Sequence, residues 1–218
     1  MRPRAAIDRL LRRPRVVTHA AGRPPAVALT FDDGPSPWSG EIAAALEAHG
    51  CRGTFFLLGC AIGERAATVA ALAAAGHELA NHLWSHADPL GQSRAALREE
   101  IERTADVIAR TAGVRPELVR PPYCGAPRDV ARAAGRNARL VVLRSVDPAD
   151  WSSDCAAEIV ERVLVAVGPG DIVCLHDGIA PRNNGTDSRR PTVEAVAQLV
   201  PALLERGLRP VTVSELLA

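Results

Sequence analysis

Two carboxylates stand side by side at Asp32 and Asp33, where an apolar run over 26–31 meets Gly34-Pro35. Adjacent carboxylates repel each other and lose hydration at a buried strand end unless a cation holds them. The simplest resolution is that one binds a metal ion while the other stays free to accept a proton. A plain Asp-Gly-Pro turn is the alternative. Further along, His82-Leu-Trp-Ser-His86 carries two imidazoles at a spacing that puts both on one side of a helical turn. Imidazole suits zinc and similar divalent ions, and a catalytic site needs a third ligand and an open position. Asp33 can supply that ligand. Arg120, Asp147, Asp150 and the pair His176-Asp177 complete the chemically interesting set.

The elements that must position these groups can be read from pattern and punctuation. Strands are expected over 26–31, 54–58, 78–81, 118–120, 140–143, 171–175 and 208–213, between Gly and Pro breaks. Helices are expected over 41–49, 64–75 and 128–134. A long one should run from an N-cap at Ser93 to Ala112 with Gly113 behind it, and another over 154–167. A further helix opens at Pro191 and should kink or break at Pro201, and a last turn covers 214–218. Strands alternating with helices mean parallel βα units, about seven of them, and so a single α/β barrel-like domain. Each candidate residue falls just after a predicted strand. In parallel architectures those ends converge on one face, where the chemistry resides.

The bulk properties exclude several classes. With 218 residues, 47% of them hydrophobic, the chain can bury one sizeable core. A net charge of +1 leaves no long basic face for nucleic acid. All the basic residues are Arg, so no lysine nucleophile or Schiff base is available. Cys51, Cys60, Cys124, Cys155 and Cys174 are odd in number and lack Cys-x-x-Cys spacing, which fits free thiols in a reducing compartment. Residues 1–25 read as a basic, solvated arm ahead of the domain at 26–218. No apolar stretch reaches the length of a membrane span, and the arm lacks the apolar core of an export signal, so the expectation is a cytoplasmic protein. Nothing in the sequence fixes an oligomeric state.

Taken together, Thr30-Phe-Asp-Asp-Gly-Pro35, His82-x-x-Ser-His86, Arg120-Pro-Pro-Tyr123, Asp147-Pro-Ala-Asp-Trp151 and Leu175-His-Asp177 resemble the five ordered motifs of the polysaccharide deacetylases. These are the NodB-homology proteins of carbohydrate esterase family four, and within them the chain looks most like the cytoplasmic chitooligosaccharide deacetylases. The resemblance implies a distorted (β/α)7 barrel and one divalent metal ion, zinc or else cobalt, nickel or manganese, held by Asp33, His82 and His86. It implies Asp32 as general base with Arg120 as its charge partner, and an oxyanion-binding backbone N–H from Tyr123. His176 would be the general acid, steadied by Asp150. The substrate implied is an N-acetylated amino sugar, a chitooligosaccharide or a small GlcNAc-bearing molecule. Trp38, Trp84 and Trp151 lie near motif loops and could stack on sugar rings, although core packing explains a single Trp equally well. Two residues depart from the family pattern. Leu83 replaces a Thr or Ser whose hydroxyl could brace the metal loop, and Cys124 puts a Cβ where Gly commonly follows the Tyr. An O-acetyl esterase and a non-catalytic sugar-binding protein with a relict site are the rival readings.

Overall fold

The structure, a computed structural model, describes residues 15–20, 25–135, 138, 140–181 and 185–218. Its strands are β1 (Arg15–Val17), β2 (Ala26–Gly34), β3 (Thr54–Leu57), β4 (Glu78–Asn81), β5 (Leu118–Val119), β6 (Leu140–Val142), β7 (Ile172–His176) and β8 (Arg209–Val211). They alternate with seven helices among the described residues: α1 (Ser39–Glu47), α2 (Ala66–Ala74), α3 (Arg94–Ala112), α4 (Pro127–Ala134), α5 (Ala156–Ala166), α6 (Arg190–Glu205) and α7 (Val213–Leu216).

Every strand pair is parallel, in the order β1-β6-β5-β4-β3-β2-β7, with β8 beside the first half of β2. Just past β6, Val146 bridges to Val173 of β7, which brings the far side of the sheet back to β7. The sheet thus curls into the distorted (β/α)7 barrel that the resemblance implied. β2 is buried along almost its whole length, as a strand covered on both faces must be, and its sequence is correspondingly apolar.

The two faces of the strands divide the core. Leu29, Phe31, Phe55, Leu57, Val173 and Leu175 pack outward against Ile42, Leu46, Val69, Ile159 and Leu199 of the helices. The alternate positions Ala28, Phe56, Ala80, Leu118, Val142 and Ile172 face the interior, where Val213 and Leu216 of α7 join them. Because side chains alternate along a strand, the interior rows run on from Ala28 to Thr30 and Asp32. Those of β5 and β7 run on from Leu118 to Arg120, and from Ile172 to Cys174 and His176. The barrel interior is therefore apolar at one end and polar where the strands finish.

The helix signals act as the sequence predicts at α3, where the Ser93 hydroxyl accepts from the Ala96 N–H and Gly113 adopts φ 71°. Pro201 departs from expectation, since α6 continues through it. A proline lacks one helical N–H, but Leu199, Val200 and Leu203 are fully buried around it, and that packing carries the helix across the gap.

β1 was not foreseen. Its three residues lie in the stretch read as a solvated arm, yet they pair in register with Leu140, Val141 and Val142 of β6. Val17 is only 8% exposed and belongs to the interior cluster, whereas Val16 is 41% exposed. A three-residue strand that opens on an arginine is too short for its alternation to register as a pattern. The pairing makes an asymmetric expectation. Val17→Asp places an unpaired carboxylate among apolar side chains and should lower the free energy of unfolding by several kcal/mol. Val16→Asp should change it by less than about 0.5 kcal/mol. Urea titration of both variants tests this, and equal losses would show that residues 15–17 do not dock on β6.

Candidate active site

In a regular strand, neighbouring residues point to opposite faces, so Asp32 and Asp33 could not share a site. The pairing of β2 with β3 resolves this. Asp32 sits opposite Phe56 and Gly34 opposite Leu57, leaving Asp33 as the extra residue of a bulge at φ 73°. Such a bulge re-aims a side chain. Here it turns Asp33 to the same end of the barrel as Asp32, and Nε2 of His82 lies 3.4 Å from Asp33 Oδ1 and 3.9 Å from Asp32 Oδ2.

Arg120 is completely buried and so is not an ordinary surface ion-pair residue. Its Nη1 donates to Asp32 Oδ1 and to the Thr30 hydroxyl, both at 2.7 Å. Its Nη2 donates to the Leu143 carbonyl at 2.9 Å and its Nε to the Val142 carbonyl at 3.3 Å. The guanidinium also lies 4.1 Å over the Phe56 ring. Burial pushes the Asp32 carboxyl upward, but Arg120 foremost, then His82 and His176, outweigh it and hold the group below the usual carboxylate range. Asp32 is an ionised acceptor. Its second oxygen accepts from the Cys174 thiol at 3.4 Å.

His82 and His86 do not lie on a helical turn, as their spacing predicts. They occupy a loop after β4 in which Leu83 and His86 take positive φ values of 66° and 59°. The loop is braced by other means than a hydroxyl at position 83. Asn81 Oδ1 accepts from the Leu83 N–H at 2.8 Å, and Glu100 of α3 accepts from the N–H groups of Trp84 and Ser85 and from the Ser85 hydroxyl. Leu83 itself is fully buried. His82 Nδ1 donates to the Arg120 carbonyl at 2.8 Å, which fixes the tautomer and leaves Nε2 bare toward Asp33.

Asp33 Oδ1 is buried without a hydrogen bond, although Nε2 of His86 and Nε2 of His82 stand 3.2 and 3.4 Å away. Burial opposes ionisation of Asp33, and contact with the two imidazoles overcomes it, so its carboxyl lies far below the ordinary range. One carboxylate oxygen and two imidazole nitrogens, all within 4.8 Å of one another, form an N2O donor set. That set fits a divalent ion of the zinc type with positions left for water. A lone buried oxygen set against two imidazole nitrogens is what such an ion would satisfy.

Across the barrel end, His176 Nδ1 donates to Asp150 Oδ1 at 2.7 Å. Asp150 is held in turn by the His176 backbone N–H at 2.9 Å and by the Thr192 hydroxyl at 2.8 Å. Burial lowers the His176 pKa, but the Asp150 carboxylate, with Asp33 and Asp32 adding, pushes it up to about 9. His176 is a cation at neutral pH. Asp177 faces the other way, accepting from the Ser39 hydroxyl against Gly34, where any Cβ would collide with its carboxylate.

Tyr123 takes φ 57°, and its exposed ring stands edge-on to His86 at 4.9 Å. Cys124 also adopts a positive φ, 53°, and its sulfur accepts from Arg144 Nη1 at 2.6 Å. The backbone holds Cys124 in a region that Gly would occupy freely and that its Cβ makes strained. A depression of about 420 Å³ lies beside His86, lined by Ser85, Ala87, Asp88, Tyr123 and Pro181. None of the three tryptophans lines it. Trp38 packs against the outer core, and Trp84 lies against Gly59 with the Arg103 guanidinium 4.0 Å over its ring. Trp151 is partly exposed, with its carbonyl accepting from the Thr186 N–H. Thr30, Thr192 and Cys174 were missed. Thr30 and Cys174 sit two residues before Asp32 and His176, and strand alternation alone could have flagged them.

The family profile for polysaccharide deacetylases matches residues 19–141. The chitooligosaccharide deacetylase of Sinorhizobium fredii is 36% identical over 88% of this chain and 92% of its own length. The peptidoglycan-N-acetylmuramic acid deacetylase PdaC of Bacillus subtilis is 35% identical over 87% of this chain and 38% of its own. Among solved structures, the peptidoglycan N-acetylglucosamine deacetylase Bc1960, bound to an N-hydroxybenzamide, superposes with a TM-score of 0.84 at 29% identity, covering 98% of this chain and 96% of that one.

The two aspartates should fail differently with respect to metal. Asp33→Asn replaces an anionic donor by a neutral one, so bound zinc after dialysis should fall well below one per chain. Asp32→Asn should retain it. Elemental analysis of the two purified proteins checks the assignment, and the reverse pattern would overturn it.

Proposed function

The chain belongs to the polysaccharide deacetylase family, and on that premise we propose that it is a metal-dependent hydrolase that removes the acetyl group from an N-acetylated amino sugar. Acetate and a free amine are the products. A chitooligosaccharide, or a small molecule carrying GlcNAc, is the substrate class we favour, in line with the Sinorhizobium fredii relative.

Asp33, His82 and His86 would hold the metal ion. Bound there, a divalent ion supplies Lewis acidity, lowering the pKa of a water and polarising the acetyl carbonyl. Asp32 takes the proton of the attacking water, a role suited to a carboxylate that Arg120 keeps ionised and fixed in orientation. The Tyr123 backbone N–H is the donor we assign to the tetrahedral oxyanion, as the family resemblance implies. His176 then donates its proton to the departing nitrogen as the carbon–nitrogen bond breaks, and Asp150 holds the imidazolium in place.

The observation that carries this reading is the separation of the two proton-handling groups. Arg120 holds the Asp32 carboxyl below its ordinary pKa, and Asp150 pushes the His176 imidazole above its own, to about 9. An amine is a poor leaving group and needs the acid, whereas an alcohol leaves with less help. The arrangement therefore favours the amide over the O-acetyl ester, and an intact base, acid and ligand set opposes a relict sugar-binding site.

Acetate release from N-acetylglucosamine oligomers, with an O-acetylated sugar alongside, tests the proposal. Asp32→Asn should reduce kcat by about 10² to 10⁴ with metal content unchanged. His176→Ala should do comparable harm on the N-acetyl substrate and much less on the O-acetyl one. Equal loss on both, or faster turnover of the ester by the wild type, would favour the esterase.

The acid must be protonated to act, so activity should be lost as pH rises through the His176 pKa. Asp150→Asn removes the main group that raises it, and the alkaline limb of the kcat profile should move down toward the ordinary histidine range. An alkaline limb that stays in place would show that His176 does not set it.

A further inference from the structure

The parallel pairing of β2 with β7 sets Thr30 opposite Cys174 and Asp32 opposite His176. Cys174 and His176 are two residues apart on one strand, so both side chains share the interior face with Asp32. A carboxylate oxygen, a thiol sulfur and an imidazole nitrogen consequently lie within 4.8 Å of one another, next to but distinct from the Asp33, His82 and His86 group. The Cys174 Sγ to Asp32 Oδ2 distance is 3.4 Å. Two ligands of a tetrahedral zinc ion, with Zn–S at about 2.3 Å and Zn–O at about 2.1 Å, are separated by about 3.5 Å. The spacing of this pair already matches two corners of such a tetrahedron.

The geometry points to a second metal site, formed by Asp32, Cys174 and His176, that takes a thiophilic divalent cation and inhibits the enzyme. A sulfur donor selects zinc or cadmium over magnesium, calcium or manganese, for which oxygen is the preferred ligand. Binding displaces the thiol proton and the proton on the free imidazole nitrogen to solvent, and leaves thiolate, carboxylate and neutral imidazole around the ion. Arg120 Nη1, which already donates to Asp32 Oδ1 and lies 3.7 Å from the Cys174 sulfur, steadies the thiolate while repelling the incoming cation. The site should accordingly be weaker than the Asp33, His82 and His86 group and fill after it.

The consequence for turnover rests on the function proposed above. One ion at this position would take up both the base and the acid, with the first metal still in its place. Inhibition by excess zinc or cadmium would then be built into the same three side chains that handle protons and hold the thiol. Cys174 is what distinguishes this group from a simple acid and base pair, because a carbon side chain there would leave only two donors.

The test begins with a Cys60→Ser, Cys155→Ser background, which removes the two exposed thiols, loaded with one equivalent of zinc. Cadmium is then added while the ultraviolet thiolate-to-cadmium charge-transfer band and acetate release are followed together. The expected result is a band that saturates at one further equivalent, with activity falling at least tenfold in parallel. Both effects should require at least tenfold more cadmium when Cys174→Val is added, each protein being compared with its own uninhibited rate. Cys174→Ser, with a polar side chain close in size to cysteine, serves as a second variant should valine not be accommodated, and Cys124→Ser should leave the band in place. Absence of the band, or its persistence in both Cys174 variants, overturns the site. A Cys174-dependent band with undiminished turnover overturns the inhibition. A Cys174-dependent band in a protein that releases no acetate from any substrate confirms the site and sinks the deacetylase reading instead.

Discussion

The buried guanidinium of Arg120 is the constraint on which the rest of the site depends. A fully buried charge is tolerated only when paired and hydrogen-bonded, and Arg120 meets that requirement with donors spent on Asp32, Thr30, Val142 and Leu143. Those partners come from β2 and from the end of β6. Its carbonyl accepts from His82, and its own N–H donates to the Asn81 carbonyl. A single residue thus sets the orientation of the proton acceptor, the tautomer of a metal ligand and the approach of the strands carrying them. The Phe56 ring beneath it closes the polar end of the barrel from the apolar end.

Around that centre the site divides its charges. Asp33 with His82 and His86 makes a compact donor set whose carboxylate oxygen has no hydrogen bond. Asp32 and His176 stand to the other side, one anionic and one cationic, with the Asp150 carboxylate behind the imidazole. Both aspartates would be unstable neighbours in isolation. They coexist because each faces a different partner: the Arg120 guanidinium for Asp32, and the two imidazole nitrogens for Asp33. The electrostatic problem posed by two adjacent carboxylates is answered by the strands that flank them, not by the loop in which they occur.

Much of this was legible in the sequence, and for definite reasons. The strands that bury both faces are written as apolar runs, and Ser93 with Gly113 marks the ends of α3 chemically. The site residues announce themselves because ionisable groups directly after apolar runs need partners. What stayed hidden depends on pairing. The bulge at Asp33 exists only in relation to β3, and the β1 strand only in relation to β6. The loop holding His82 and His86 has helical spacing without being helical, because positive φ at Leu83 and His86 brings the rings together by another path. The surroundings of the tryptophans were equally hidden: Trp38 packs on the outer core and the Arg103 guanidinium lies over the Trp84 ring.

The bulge in β2 means that the seats for the two aspartates are fixed by the length of the backbone, whichever side chains fill them. Substitution can empty the Asp33 seat while the extra residue, the strand register and the buried Arg120–Asp32 pair remain. Inheritance then carries a vacant frame as readily as a furnished one. A lineage that lost the Asp33 carboxylate by a single codon change could regain it by the reverse change, whereas a deletion of one residue would shift the register and be hard to undo.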